Sequence, residues 1–282
     1  MDSMRLERIY REAGRELRSM LLGIDLPSFS HAEAERIRQE TGKIVTALNL
    51  FAFQWSKSAI SDEAQKAIRR TRTALEILGR KPRHPQMTEP GYMVQEQAMK
   101  VLFNANISIR RTVDRYLVVA LLASHNLRSA QIQEFSYQEA AEDLDELALE
   151  ALKAEKSRGW LTKQMADYLR TNLIAKDEFI EINGRMYRLS KYAQLVAQTE
   201  LRNAQTGATL DLCKQYDNDL VQVSDHSTDC ELCQEYEGNI YSISGTSMSY
   251  PMLTASPPYH PRCQHSLLPT SEEAIEIRER WG

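Results

Sequence analysis

The chain has 282 residues, 26% of them charged, with 35 Lys and Arg against 39 Asp and Glu for a formal net charge of −4. That length can bury a core without covalent help, so the four cysteines do not read as the disulfide framework of a small secreted domain, and a reducing compartment is expected. The charge balance excludes a global attraction to nucleic acid or acidic lipid and leaves only local patches for such contacts.

The opening, "MDSMRLERIYREAGRELRSML", is charged throughout and lacks the apolar centre of an export signal. Next, Ser30 stands three residues before Glu33, a capping box that opens a helix through "HAEAERIRQETGKIVTALNLFAFQW". The basic residues Lys66, Arg69, Arg70, Arg72, Arg80, Lys81 and Arg83 follow; they read as a solvated helix face running into a charged loop, with DNA contact as the alternative. "GRKPRHPQMTEPG", residues 79–91, concentrates proline and glycine and marks a loop or hinge.

Between Tyr92 and Arg158 there is neither glycine nor proline, so long helices are expected. The longest apolar run, Tyr116 to Ala123, falls far short of the roughly 20 residues that cross a bilayer, so a soluble chain without membrane contact is expected. Ser136 with Glu139 forms a second capping box, Leu144, Leu147, Ala148, Ala151 and Leu152 share a face, and Lys153 and Lys156 precede a stop at Gly159. At Asn183-Gly184 two short alternating runs meet at a dipeptide that accepts positive φ, which predicts a hairpin. A helix from about Ser190 to Tyr216 should follow, with Ala193, Ala197, Leu201, Ala204, Ala208 and Leu212 as its apolar stripe and Cys213 beside it as a small buried hydrophobe. Short strands at Leu220 to Ser224 and Asn239 to Ile243 bracket the first cysteine pair. The fold class is therefore mainly α: a long-helical N-terminal region over 1–177, then a small α+β domain over 178–282 that is expected to be stabilised by zinc.

The zinc expectation comes from one stretch, "CELCQEYEGNIYSISGTSMSYPMLTASPPYHPRCQH", which spaces its donors as C-x2-C-x26-H-x2-C-x-H: Cys230, Cys233, His260, Cys263 and His265. A two-residue gap lets two side chains of one turn face one ion, and a second pair from distant sequence completes a tetrahedron. The three thiolates are the firmest donors because soft ligands suit zinc. His260 repeats the two-residue gap and is favoured as the fourth; His265 reaches only if Cys263 to His265 is extended, and is otherwise a neighbour of the ion. Closing the 26-residue loop costs on the order of 3 kcal/mol, whereas a structural zinc supplies roughly 10 kcal/mol or more. The ion outweighs the loop. Asp225 and His226, just before the first pair, read as an outer layer around it or as a plain polar loop.

A catalytic ion would want three protein ligands and an open position. Five donors suggest a closed site, and neither H-E-x-x-H nor the deaminase H-x-E with P-C-x-x-C is present. "GTSMS", Gly245 to Ser249, misses the nucleophile elbow at its last position.

Beyond the spacing, "NGRMYRLSKYAQLVAQTELRNAQTG", "VQVSDHSTDCELCQEYEGNIYSI" and "PPYHPRCQHSLLP" together resemble the minor head (minor capsid) proteins of tailed bacteriophages, the F-like head-morphogenesis group, over about Asn183 to Pro269. The shared elements are Thr199-Glu200 followed by Arg202, the C-x2-C, an E-G-x-I-Y element at Glu237 to Tyr241, and P-P-x-H-P-x-C-x-[CH] before a proline. His265 stands where many relatives have cysteine, and Gln198 where many have arginine. The resemblance implies a non-catalytic virion component acting in head morphogenesis at the portal vertex or the capsid interior. It implies portal, major capsid or scaffold proteins as partners, several copies per particle, and residence in the host cytoplasm during assembly. The competing expectations are a zinc-dependent enzyme acting on nucleic acid or peptide, and a DNA-binding module using the basic stretch.

Overall fold

A computed structural model describes residues 3–25, 28–83, 91–123 and 178–281. The helix expected over 136–159, and most of the 79–91 loop, lie outside these residues. The chain divides into two compact units, Met4–Phe51 with Leu102–Ala193, and Met1–Ser3 with Ala52–Val101 and Gln194–Gly282. It is mainly α with a small strand-bearing C-terminal region, as the sequence implied.

In the first of these units, α1 (Ser3–Leu22) buries Leu6, Tyr10, Ala13, Leu17 and Leu21, the three- and four-residue spacing of one helix face. Against this face pack residues of α2 (His31–Trp55) and α4 (Tyr92–Ala123), whose Leu48, Leu102, Ile109 and Leu117 are likewise buried. Burying Tyr10 and Asn106 here requires partners for their polar atoms. Tyr10 Oη donates to Asn106 Oδ1 at 2.9 Å, and Asn106 Nδ2 donates to Asn49 Oδ1 at 2.7 Å. The start of α2 is capped as expected: Glu33 N donates to Ser30 Oγ at 3.3 Å and Ser30 N to Glu33 Oε2 at 3.0 Å. The predicted hairpin is present as well. Strands β1 (Glu178–Ile182) and β2 (Arg185–Arg188) pair antiparallel, with Ile182 opposite Arg185, and Asn183 and Gly184 turn at φ 50° and 72°.

The other unit contains the end of α2, a π turn at Ser56–Ile60, and α3 (Ser61–Ile77). Gly79 and Gly91, the outer glycines of the 79–91 segment, both take positive φ, 71° and 82°, where the helices on either side have stopped. Helix α5 (Leu189–Gln215) buries Ala193, Ala197, Ala204, Ala208 and Leu212 of its expected stripe, with Leu201 half-buried. It ends in a Schellman motif: Asp217 takes φ 49°, Asn218 N donates to Cys213 O at 2.9 Å and Asp217 N to Lys214 O at 3.2 Å.

A three-stranded antiparallel sheet follows in the order β4-β3-β5, built from β3 (Leu220–Val223), β4 (Ile240–Ser242) and β5 (Leu267–Pro269). Strand β3 is central, which explains why Leu220, Val221 and Val223 are all buried. Val221 and Val223 join Cys213 and Leu267 in a core covered by Tyr236, Tyr241 and Tyr259. There burial pushes the Cys213 thiol up to about 12, so it behaves as the small hydrophobe expected. Strand β5 was not foreseen, because "SLLP" is too short to show alternation. Helix α7 (Glu272–Trp281) closes the described chain, and its Arg278 donates to Gln222 Oε1 of β3 at 2.7 Å. No helix among the described residues is long and apolar enough to cross a membrane.

Candidate metal centre

The candidate ligands lie on the segments that connect β3 to β4 and β4 to β5. Just past β3, Ser224 N donates to Ser266 O at 2.9 Å and Ser266 N to Ser224 Oγ at 3.0 Å, so the chain leaving β3 stays beside the chain approaching β5. Asp225 Oδ1 then accepts the Ser227 amide at 3.0 Å, with Ser227 at φ 53°, and this bend directs the backbone toward Cys230. Cys233 N and Gln234 N both donate to Cys230 O, at 2.9 and 3.0 Å, forming the tight turn that opens α6 (Glu231–Gln234). The second pair repeats this device: Cys263 N donates to His260 O at 3.0 Å. Beyond it Cys263 is buried, Gln264 exposed and His265 buried, the alternation of an extended segment. That is the condition under which His265 reaches the cluster.

All five residues read from the sequence as candidate ligands meet here. Donor atoms of Cys230, Cys233 and His260 lie within 4.8 Å of one another, as do those of Cys233, Cys263 and His265, so Cys233 is common to both groups. Cys233 Sγ is 3.9 Å from Cys263 Sγ, and Cys263 Sγ is 3.5 Å from His265 Nδ1. Zinc–sulfur bonds of about 2.3 Å and zinc–nitrogen bonds of about 2.05 Å give tetrahedral edges of about 3.8 and 3.6 Å, so these spacings fit one such ion. Cys233, Cys263 and His265 are buried; Cys230 and His260 are half-buried.

Electrostatics favour a cation at this point. Burial, reinforced by the neighbouring thiols of Cys230 and Cys263, pushes the Cys233 thiol up to about 12. A thiolate at Cys233 is disfavoured without a cation, because it would be poorly solvated and close to two further sulfurs. A dication reverses that balance, since it stabilises every thiolate it touches. The cluster is therefore chemically suited to hold a metal ion.

Around it the sequence reading is partly replaced by detail. The His226 ring stands 5.0 Å from the His265 ring, edge to face, so His226 lines the cluster, whereas the Asp225 carboxylate shapes the loop. Tyr236 and Tyr259 stack at 4.2 Å, forming an apolar wall. Thr199 Oγ1 donates to Pro261 O at 3.1 Å, which fastens the Thr199-Glu200 stretch of α5 beside the second turn; Glu200 is buried, and burial raises its carboxyl. The most informative residue sequence reasoning passed over is Glu237, noted only as the start of E-G-x-I-Y. Its Oε1 accepts from His265 Nε2 at 3.1 Å and from the His226 amide, and its Oε2 accepts from the Thr228 amide at 3.0 Å.

The other sequence candidates stand apart. In "GTSMS", Ser247 Oγ accepts the amides of Ser249 and Tyr250, each at 3.2 Å, so this hydroxyl is occupied in shaping a loop. The basic stretch is exposed except for half-buried Arg80, and two of its members are ion-paired: Lys66 with Glu63 at 3.1 Å and Arg83 with Asp217 at 3.3 Å.

Residues 30–273 match the family profile of phage minor capsid protein 2. The chain belongs to that family. No curated protein and no solved structure matches it. For a minor capsid protein the extent of the match matters, because it begins at the α2 capping box and takes in α3, α4 and α5 as well as the cysteine turns. The resemblance read from the sequence covers about 183–269, whereas the family match spans most of the chain. Membership makes the protein a structural component of the phage particle.

Proposed function

We propose that this minor capsid protein acts in head morphogenesis at the portal vertex or on the capsid interior, with the portal, major capsid or scaffold protein as its partner, and assists packaging or ejection of DNA. Its metal is one structural Zn2+, and it performs no catalysis. The observation that supports this reading is the family match over residues 30–273; for the ion, the candidate donors gathered around Cys233 are enough to fill four tetrahedral positions without a water. When bound, the ion would clamp the 230–233 turn to the 260–265 segment; Cys230, Cys233, Cys263 and a histidine would hold it. The helices upstream are the natural surface for partners, and assembly takes place in the host cytoplasm before the protein is retained in the virion.

The test is complementation of a phage lacking this gene. Wild-type protein should restore infectious heads and be recovered in purified particles, cross-linked to a portal or shell protein. Cys233→Ser should fail to be incorporated. Infectious particles formed normally by Cys233→Ser would remove the structural role of the ion, and a folded metal-free protein that had lost only a hydrolytic activity would favour the enzymatic alternative.

A further inference from the structure

The two histidines next to the thiols are not equivalent, and the difference lies in what their other ring nitrogens do. A neutral imidazole has one N–H and one lone pair, so the partner of one nitrogen dictates whether the other can bind a metal. At His265, Nε2 faces Glu237 Oε1 at 3.1 Å, and a carboxylate only accepts. Nε2 must therefore carry the proton, which leaves the Nδ1 lone pair directed at the cluster, 3.5 Å from Cys263 Sγ. At His260, Nδ1 accepts the Arg262 amide at 3.3 Å. Coordination through Nδ1 would compete with that amide for the lone pair, and coordination through Nε2 would put a proton on Nδ1 facing it. Either way His260 must give up a contact that His265 does not.

We propose that Glu237 is the positioning residue of the metal centre: by accepting the Nε2 proton of His265 it presents Nδ1 of His265, not His260, as the ligand completing the three thiolates. The inference rests on the metal reading above. Glu237 is well placed for the task because its side chain is 10% exposed and also accepts the amides of His226 and Thr228. One carboxylate thereby joins the loop entering the first cysteine turn to the segment leaving the second. Positioning carboxylates of this kind typically change metal affinity by about 10 to 100-fold. The E-G-x-I-Y element then has a physical role: Gly238, at φ 72°, lets the chain turn away toward β4 immediately after the carboxylate.

The experiment uses the 282-residue chain, purified with zinc or reconstituted with cobalt(II), and labelled with 13C,15N-histidine. Wild-type protein should bind one ion, with His265 bound through Nδ1 and its Nε2 proton protected from exchange. His260→Ala should keep the ion and the cobalt ligand-field spectrum, while His265→Ala should alter that spectrum. Glu237→Ala should weaken zinc about 10 to 100-fold and abolish the protected Nε2 proton, and Glu237→Gln, which keeps an accepting oxygen but loses the charge, should weaken zinc by less. If Glu237→Ala does not fold, the wild-type spectra still decide. A wild-type ion bound through His260, or through Nε2 of His265, would overturn the proposal while leaving the metal centre intact. So would wild-type zinc affinity in both Glu237→Gln and a folded Glu237→Ala. A wild-type protein devoid of metal after reconstitution would instead remove the reading on which it rests.

Discussion

The helical core formed by α1, α2 and α4 and the segment from Ser224 to Ser266 are ordered by different means. In the first, apolar side chains recur at helix spacing, and Leu6, Leu17, Leu21 and Leu102 are wholly buried, so stability is spread over many contacts of similar size. The second has Met248 fully exposed and Leu232 63% exposed, and its order comes from serine, aspartate and glutamate hydrogen bonds around a cluster of thiols and imidazoles. Distributed burial degrades in steps. A segment clamped by one shared ion, as proposed for this one, would fail all at once, because each ligand's position would depend on the others.

Metal removal is therefore the sharpest way to expose the contrast. Chelation, or Cys233→Ser, should cost the segment several kcal/mol of local stability. Hydrogen exchange should show amide protection lost between 224 and 266 and retained in α1 and α4. Uniform loss across both regions would mean that the ion is not a local clamp. Leu17→Ala should come next in size, destabilising by about 2–5 kcal/mol through the cavity it leaves, read as a lower urea midpoint with metal content unchanged. Tyr10→Phe removes the hydroxyl that donates to Asn106 and should cost about 1–3 kcal/mol, since Asn106 Oδ1 is left buried without that partner.

How much of this was legible follows the same division. The capping box at Ser30, the Asn183-Gly184 turn and the alanine stripe of α5 are local signals, in which the residues that specify a structure are the ones that form it, and each appears as read. The five donors were equally visible, since spacing alone announces them. What could not be read was everything that depends on chains returning from a distance. The β5 strand exists because Val221 and Val223 of β3 offer a pairing edge, not because "LLP" prefers to be extended. Glu237 touches His265 across 28 residues, and although it opens the E-G-x-I-Y element, nothing local to that element says what its carboxylate meets. The proposed preference for His265 over His260 rests on that contact, which spacing does not reveal.

Two smaller effects sharpen the comparison from the side of the helices. Ser30→Ala should cost about 1 kcal/mol by orphaning the Glu33 amide, and restoring threonine there should recover most of it. The smallest effect is a pH dependence at Glu63 on α3, whose carboxylate is held by Gln205 of α5 and by Lys66 at 3.1 Å. Burial pulls this carboxyl upward, but the Gln205 and Lys66 hydrogen bonds, with the charges of Lys66 and Arg70, more than offset it and leave it below its ordinary value of 4.5. Because the folded value lies below the unfolded one, the native state binds the proton more weakly. The contribution of Glu63 is therefore complete above about pH 4.5 and disappears as pH falls through the folded value. Glu63→Gln should be measurably less stable than wild type at neutral pH, and the two urea midpoints should converge on acidification. The partly exposed pair keeps the difference small. Convergence on raising the pH would reverse the sign and show that burial, not the α3–α5 tie, governs this carboxylate.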